Sequence, residues 1–127
     1  MLITILKSKI HRATVTDAKI HYMGSITIDR ELMDNAKINP FEKVMVVDLD
    51  NGERLETYVI EGKKNSGEIC LNGAAARKIL KGDNVIIMSF SLIDEQEIKD
   101  FKPLIVHVDE SNRIVVVEDH TDKNDQC

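Results

Sequence analysis

Hydrophobic and polar positions alternate along most of the chain, in short stretches separated by turn-forming residues. Val, Ile and Leu dominate the hydrophobic runs, such as residues 44–49, 85–88 and 114–117, and β-branched residues in short runs are typical of strands. The pattern predicts strands at residues 2–6, 11–16, 68–71, 84–92, 103–108 and 113–118, and two more within residues 43–62.

Short helical segments interrupt these strands. The best helix candidate is Arg30 to Ile38, with Asp29 as its N-cap and Asn39-Pro40 as its stop. Asn72 begins a second short helix that ends before Gly82, and residues 94–100 form a polar helical turn.

Turn chemistry connects the predicted strands. Asn51-Gly52 is the preferred pair for a tight hairpin and joins the two strands within residues 43–62. Further turns are expected at residues 17–20 and 63–67. Because strands and helices do not alternate regularly, the chain favours a mainly β fold, a small closed barrel with short helices, over a layered α/β sheet.

The length of 127 residues suits one domain, which we place at residues 1–118. Residues 119–127 have the composition of a disordered tail. A net charge of −5 argues against nucleic-acid binding. We expect no membrane association, because no apolar run is long enough to span a bilayer, and cytoplasmic residence follows because the N-terminus lacks the pattern of a secretory signal.

Cysteine and histidine do not form metal-ligand spacings, so no metal site is expected. Cys70 is interpreted as a buried free thiol within a strand and Cys127 as a thiol in the tail. The four histidines are scattered along the chain, at His11, His21, His107 and His120.

The dipeptide Gly24-Ser25 is by itself typical of an ordinary turn. Its chemistry allows more: a hydroxyl can attack the unshielded carbonyl of a preceding glycine if the fold strains the peptide. The resulting ester can eliminate and hydrolyse to a pyruvoyl group, which forms a Schiff base with a substrate amine and accepts the electrons of decarboxylation. Residues 1–24 carry a net charge of +3 and residues 25–127 a net charge of −8, so the two pieces attract.

Other candidates have structural explanations that are locally stronger. Thr57 and Tyr58 are adjacent on a strand and point to opposite faces. Arg54 could bind a carboxylate or lie on a solvated flank. The sequence NGAAA at residues 72–76 could place backbone amides near an anion, or pack a short helix tightly.

Taken together, four segments resemble the pyruvoyl-dependent aspartate decarboxylase family in order and spacing. The resemblance covers about residues 3–118 and rests on SKIHRATVTDA, HYMGSITID, NGERLETYVI and GEICLNGAAARK. It departs at the tail, and at Glu56, where a smaller or apolar residue is expected.

This resemblance implies a six-stranded double-psi β-barrel and a homotetramer with active sites between subunits. It implies decarboxylation of L-aspartate to β-alanine, for pantothenate and coenzyme A synthesis, by a proenzyme that cleaves itself between Gly24 and Ser25. Ser25 then becomes the covalent pyruvoyl cofactor.

The resemblance also implies roles for single residues. Tyr58 is the proton donor to the decarboxylated intermediate, and Thr57 polarises the Gly24 carbonyl during cleavage and contacts substrate. Lys9 and Arg54 hold the substrate carboxylates. The remaining pocket residues implied are Asn72, Gly73, Ala74 and Ala75 as a wall against pyruvoyl and substrate, and His11 and Tyr22 as lesser members.

Alternatives stay open from the sequence. A non-enzymatic barrel that binds a partner or forms oligomers explains the strands equally well, and the same machinery could decarboxylate another small amino acid. The sequence is compatible with unaided cleavage and with cleavage that requires a maturation partner.

Overall fold

The computed structural model describes residues 1–119, which are mainly β, as the hydrophobic pattern predicts. The strands are β1 (Leu2–Thr14), β2 (Asp17–Lys19), β3 (Ser25–Asp29), β4 (Lys43–Asp48), β5 (Arg54–Gly62), β6 (Ile69–Asn72), β7 (Asn84–Asp94), β8 (Leu104–Val108) and β9 (Ile114–Asp119). The helices are α1 (Arg30–Ala36) and two 3₁₀ helices, Gly73–Arg77 and Glu95–Asp100.

Strand pairing within residues 1–119 produces one nine-stranded sheet, in the order β2-β6-β3-β5-β4-β7-β1-β8-β9. Because β2 and β9 lie at the two edges, the hydrogen-bonded pairing does not close the sheet on itself. The mainly β class is therefore confirmed, whereas the closed six-stranded barrel stays a prediction.

Strand β1 is continuous where the sequence predicts two separate strands. It pairs with β7 along its antiparallel side and with β8 along its parallel side, over Ser8 to His11. Its register against β7 shifts between Leu6 and Ser8 and again between Ile10 and Ala13, and Arg12 takes a φ of 61°. Pairing with β7 resumes after each shift, so β1 stays one strand through these irregularities, which interrupt its alternating pattern.

Helix α1 begins as the sequence predicts. Asp29 is its N-cap, and a carboxylate oxygen of Asp29 accepts a hydrogen bond from the Glu31 backbone N–H at 2.8 Å. The helix ends at Ala36, two residues before the predicted end, because Lys37 adopts the left-handed conformation with a φ of 56°.

The predicted hairpin over residues 43–62 forms, but its turn is longer than the tight turn expected at Asn51-Gly52. Strand β4 ends at Asp48 and β5 begins at Arg54. Side chains explain the difference, since the Asp48 and Asn51 side chains accept hydrogen bonds from the backbone N–H groups of Asp50 and Glu53, both at 2.8 Å.

The remaining elements differ from the prediction by a few residues. Residues 17–20, expected as a turn, include the short strand β2, and the helix expected from Asn72 is a single 3₁₀ segment. Strand β9 includes Asp119, which was assigned to the tail, while residues 120–127 of that tail lie outside the described part of the chain.

The core is aliphatic, as expected from a chain with few aromatic residues. Ile10, Ile26, Leu71 and Ile87, from four different strands, are all fully buried in one cluster. Within residues 1–119, no helix has the length and apolar character needed to cross a membrane.

Candidate active site

A cleft of about 400 Å³ opens along one part of β5. Residues 54–58 of this strand pair with β4, and its residues from Val59 onward pair with β3. The cleft therefore lies just before β3 begins, at the Gly24-Ser25 peptide. Its lining residues are Gly24, Leu55, Glu56, Thr57, Tyr58, Ala74, Ala75 and Lys78.

Thr57 and Tyr58 both border this cleft. Their side chains alternate about the strand, but the cleft follows the edge of β5, where neighbouring residues on both faces come within reach. The ring of Tyr58 also lies 6.5 Å from the ring of Phe41, with an interplanar angle of 33°. Both predicted catalytic side chains of β5 are thus placed beside Gly24.

Ser25 is the first residue of β3 and is fully buried. Its hydroxyl accepts a hydrogen bond from Asn72 Nδ2 at 2.9 Å and donates one to the Met23 carbonyl at 3.1 Å. The register explains this contact, because Ser25 and Asn72 are directly paired between β3 and β6. Two residues that are distant in sequence therefore meet at the predicted cleavage site.

Gly73 packs directly beneath Gly24. It has a φ of 71°, and a β-carbon at position 73 would lie 2.8 Å from the Cα and N of Gly24 and from the Tyr22 carbonyl oxygen. Glycine is therefore required at position 73 by conformation and by space. Ala74 and Ala75 follow it and line the cleft.

Gly24 itself is exposed, and a β-carbon added to it would have no atom within 4 Å. Its φ is outside the left-handed region. The φ angle of Gly24 therefore gives no sign of the strained backbone that the sequence analysis considers. The open surroundings of Gly24 are consistent with an unshielded carbonyl.

The other predicted pocket residues do not line this cleft within the described chain. Lys9 and His11 are on β1. Arg54 is exposed at the start of β5. Tyr22 is 63% exposed, with the Lys19 ammonium 5.1 Å from the centre of its ring.

His11 packs against a second histidine. The ring centroids of His11 and His107 are 5.4 Å apart in an edge-to-face arrangement, and His107 Nε2 lies 2.7 Å from a carboxylate oxygen of Glu118. Burial, followed by the charges of His107, Lys9 and Arg12, lowers the pKa of His11. His11 is therefore held in its neutral form near pH 7.

Charged side chains at the cleft include two that the sequence analysis did not assign to it. Glu56 pairs with Lys43 at 2.7 Å, which offsets the negative charge that made this position unusual. Lys78 lines the cleft and pairs with Glu53 at 3.3 Å. No sequence signal identified Lys78, because its location depends on the tertiary fold that brings the end of the 3₁₀ helix to the same cleft as β5.

Two further polar side chains near Ser25, the half-buried Thr27 and the buried Cys70, are not among the residues predicted for the site. Asn72 Nδ2 donates a second hydrogen bond to Thr27 Oγ1 at 3.0 Å, and the Cys70 thiol donates to Asn72 Oδ1 at 3.3 Å. The sequence does contain one indication of this cluster. Ser25 and Thr27, and likewise Cys70 and Asn72, are two residues apart on a strand, so each pair lies on one face.

Three carboxylates lie together outside the cleft, at Asp48, Asp50 and Asp83, with one oxygen of each within 4.8 Å of the others. Burial, then a hydrogen bond with Asp83, raises the pKa of Asp48 to about 6.

Comparison with known proteins is consistent with this geometry. The family model described as aspartate decarboxylase matches residues 1–115. The chain is 58% identical to the aspartate 1-decarboxylase of Clostridium kluyveri over 120 residues, covering 94% of each chain. It is 60% identical to that of Clostridium botulinum over 114 residues, covering 90% of each, and 58% identical to that of Caldicellulosiruptor saccharolyticus over 125 residues, covering 96% of this chain and 98% of the relative.

Proposed function

The chain belongs to the aspartate decarboxylase family, and from this premise we propose that it converts L-aspartate to β-alanine and carbon dioxide. The observation that supports this proposal best is the cleft in which Gly24, Thr57 and Tyr58 meet. We place the reaction in the cytoplasm, as a supply of β-alanine for pantothenate and coenzyme A.

Self-cleavage at Gly24-Ser25 is the first step of the proposal. The Ser25 hydroxyl oxygen forms a bond to the Gly24 carbonyl carbon, the C–N bond breaks and the hydroxyl proton passes to the nitrogen, which gives an ester and a free amine. Loss of the Ser25 Cα proton then breaks the Cβ–O bond and leaves a carboxylate on Gly24 and a dehydroalanine. Water adds to the imine tautomer of that dehydroalanine, and ammonia leaves. Thr57 assists by donating a hydrogen bond to the Gly24 carbonyl oxygen, where negative charge develops.

The residues around Ser25 fit a pyruvoyl group. Ser25 is buried beside a hydrogen-bond donor, Asn72 Nδ2, at 2.9 Å, and the neighbouring Gly24 has open space on its cleft side. When present, the group supplies a carbonyl that binds the substrate amine and takes up the electrons released with carbon dioxide. Asn72 would hold the group in place, and the small side chains of Ala74 and Ala75 leave room for substrate.

Tyr58 is assigned the proton transfer that completes the reaction. Its phenol borders the cleft beside Gly24 and can donate a proton to the carbon that has lost carbon dioxide. A positioned acid of this kind contributes roughly 10²- to 10⁴-fold in rate.

Lys9 and Arg54 are assigned to the two substrate carboxylates. Neither lines the cleft of its own chain within residues 1–119, and the proposal accounts for this with a homotetramer in which the pocket is completed by a neighbouring copy. His11 and Tyr22 are assigned to the outer part of the same pocket. The closed double-psi β-barrel belongs to this proposal as the fold of each subunit.

Cleavage is expected to leave the N-terminal piece in place. Strand β1 lies between β7 and β8, and Ile10 and Ala13 on it are fully buried. The opposite charges of residues 1–24 and 25–127 add to this attachment. The two pieces are expected to stay together whether cleavage is unaided or requires a maturation partner.

The experiment is a comparison of aspartate turnover by the wild type, Ser25→Ala and Ser8→Ala, measured as carbon dioxide released. Ser8 is an equally buried serine, on β1. Wild type and Ser8→Ala should turn over aspartate, and Ser25→Ala should remain uncleaved and inactive. Turnover by Ser25→Ala would refute the mechanism, and a wild type that neither cleaves nor releases carbon dioxide would favour a non-enzymatic barrel.

A further inference from the structure

Four polar side chains form a square on one face of two paired strands. Ser25 and Thr27 lie on β3, and Asn72 and Cys70 lie opposite them on β6. Ser25, Asn72 and Cys70 are 0%, 5% and 1% exposed. Hydrogen bonds inside this square therefore form away from bulk water, where an unmatched donor or acceptor is costly.

Asn72 is the centre of this square. Its Nδ2 donates one hydrogen bond to Ser25 Oγ at 2.9 Å and another to Thr27 Oγ1 at 3.0 Å. Both amide hydrogens are then used, and only Oδ1 remains to accept. The side chain can also rotate by half a turn, which would place Oδ1 against the two hydroxyls and Nδ2 against Cys70.

Cys70 selects between these two orientations. Its thiol lies 3.3 Å from Asn72 Oδ1 and can donate the hydrogen bond that this oxygen requires. Burial, followed by the charge of Asp17, raises the pKa of Cys70, so the thiol keeps its proton at neutral pH. In the rotated orientation the Asn72 amide hydrogens would face sulfur, which accepts hydrogen bonds only weakly, and Oδ1 would lose the thiol donor. Ser25 Oγ could not donate to Oδ1 there without giving up its hydrogen bond to the Met23 carbonyl.

The hydroxyl of Ser25 is consequently held from both sides. It accepts from Asn72 Nδ2 and donates to the Met23 carbonyl at 3.1 Å, immediately before the bond that it attacks. A change in the Asn72 orientation would replace the donor at Ser25 Oγ with an acceptor. The Ser25 hydroxyl proton would then turn toward Asn72, and the lone pairs of Ser25 Oγ would no longer be aligned for attack on the Gly24 carbonyl carbon.

We propose that Cys70 is a positioning residue for self-cleavage. Its thiol donates a hydrogen bond to Asn72 Oδ1 and so holds the Asn72 amide group against Ser25 Oγ. This role rests on the proposed self-cleavage. The buried thiol is expected to change the rate of self-cleavage and not the rate of the later aspartate turnover.

The test compares Cys70→Ser, which keeps a donor, with Cys70→Val and Cys70→Ala, which remove it. Freshly translated precursor is incubated, and the fraction cleaved is followed by denaturing electrophoresis. The loss of one buried hydrogen bond should slow cleavage by roughly five- to tenfold in the Val and Ala variants. Cys70→Ser should cleave within about twofold of the wild type.

The same substitutions in a Ser25→Ala background measure folding without cleavage. Equal melting temperatures for the Cys70→Ser and Cys70→Val forms would show that a difference in cleavage rate does not arise from unfolding. If the Val form melts at a lower temperature, the smaller Cys70→Ala form takes its place in the comparison. Equal cleavage rates for all four proteins, or a Cys70→Ser variant as slow as Cys70→Val, would overturn the role of Cys70 alone. A wild type that never cleaves would overturn self-cleavage itself, and with it this role.

Discussion

Gly73 and Gly24 touch through their backbones, so closely that a single β-carbon at position 73 would lie 2.8 Å from the Cα of Gly24. This contact joins the start of the 3₁₀ helix to the residue before Ser25. A side chain at position 73 would therefore displace the backbone beside the peptide that is cleaved.

Gly73→Ala is predicted to block or strongly slow self-cleavage. Its φ of 71° and the contact with Gly24 both oppose a side chain. Gly52→Ala is the matched control, since Gly52 has a φ of 75° with no atom within 4 Å of an added β-carbon.

Gly52→Ala should lose about 1–2 kcal/mol of stability from the left-handed backbone, and Gly73→Ala should lose at least as much because of its added backbone clash, both measured by urea denaturation. Only Gly73→Ala should also lose cleavage, followed by electrophoresis. Equal cleavage by the two variants would mean that the Gly73–Gly24 contact does not position the peptide.

Thr57 and Tyr58 are predicted to affect different steps although both border the cleft. Thr57→Val should slow self-cleavage by roughly 10²-fold, because a donor to the Gly24 carbonyl is lost. Tyr58→Phe should cleave normally and then turn over aspartate roughly 10²-fold or more slowly, because the proton donor is lost.

The two rates are measured separately, cleavage by electrophoresis and turnover by β-alanine formation. If Tyr58→Phe failed to cleave, or Thr57→Val cleaved at the wild-type rate, the division of labour would be incorrect.

Complementation tests whether Lys9 acts on a cleft in another copy. Lys9→Ala chains retain Ser25 but lack the proposed cation, and Ser25→Ala chains have the opposite defect. Each alone should be inactive, and co-expression of the two should restore part of the aspartate turnover. Absence of activity in mixed oligomers, verified by mass spectrometry, would place Lys9 and Ser25 of a single chain in the same site.

Asp48 is predicted to make stability depend on pH. Its pKa is raised from 3.8 to about 6 by burial and then by Asp83, so the fold favours the protonated form. That contribution is fully present below about pH 4 and is lost as the pH rises through about 6. Its loss should lower the free energy of unfolding by about 3 kcal/mol, from a shift of about two pKa units.

Urea denaturation between pH 4 and 7 measures this dependence. Asp48→Asn imitates the protonated acid and should remove this component, whereas Asp100→Asn, at an exposed position, should leave it unchanged. An Asp48→Asn variant with the wild-type pH profile would exclude Asp48 as its source.

Much of the secondary structure could be predicted from local pattern, because the alternation of Val and Ile and the cap at Asp29 are local signals. The continuity of β1 could not. Arg12 and the two register shifts interrupt its alternation, and pairing with β7 before and after the shifts keeps it a single strand. The prediction of a tight turn at Asn51-Gly52 was wrong, because the side chains of Asp48 and Asn51 stabilise a wider loop.

The site could be predicted only in part. Gly24-Ser25, Thr57 and Tyr58 were recognised through resemblance, and the structure brings them together because β3 begins beside the middle of β5. The contact of Ser25 with Asn72 depends on strand register between segments far apart in sequence. The only local signal for Cys70 is its two-residue spacing from Asn72, which is common in strands. Lys78 has no local signal, since an exposed lysine is common in any fold.

The intact mass of the purified protein tests the central claim most directly. Self-cleavage to a pyruvoyl enzyme predicts two chains, residues 1–24 and 25–127, whose summed mass exceeds that of the precursor by one water minus one ammonia. A single precursor mass after prolonged incubation would contradict the claim. So would two chains that together exceed the precursor by a full water, because simple hydrolysis would have left Ser25 unchanged.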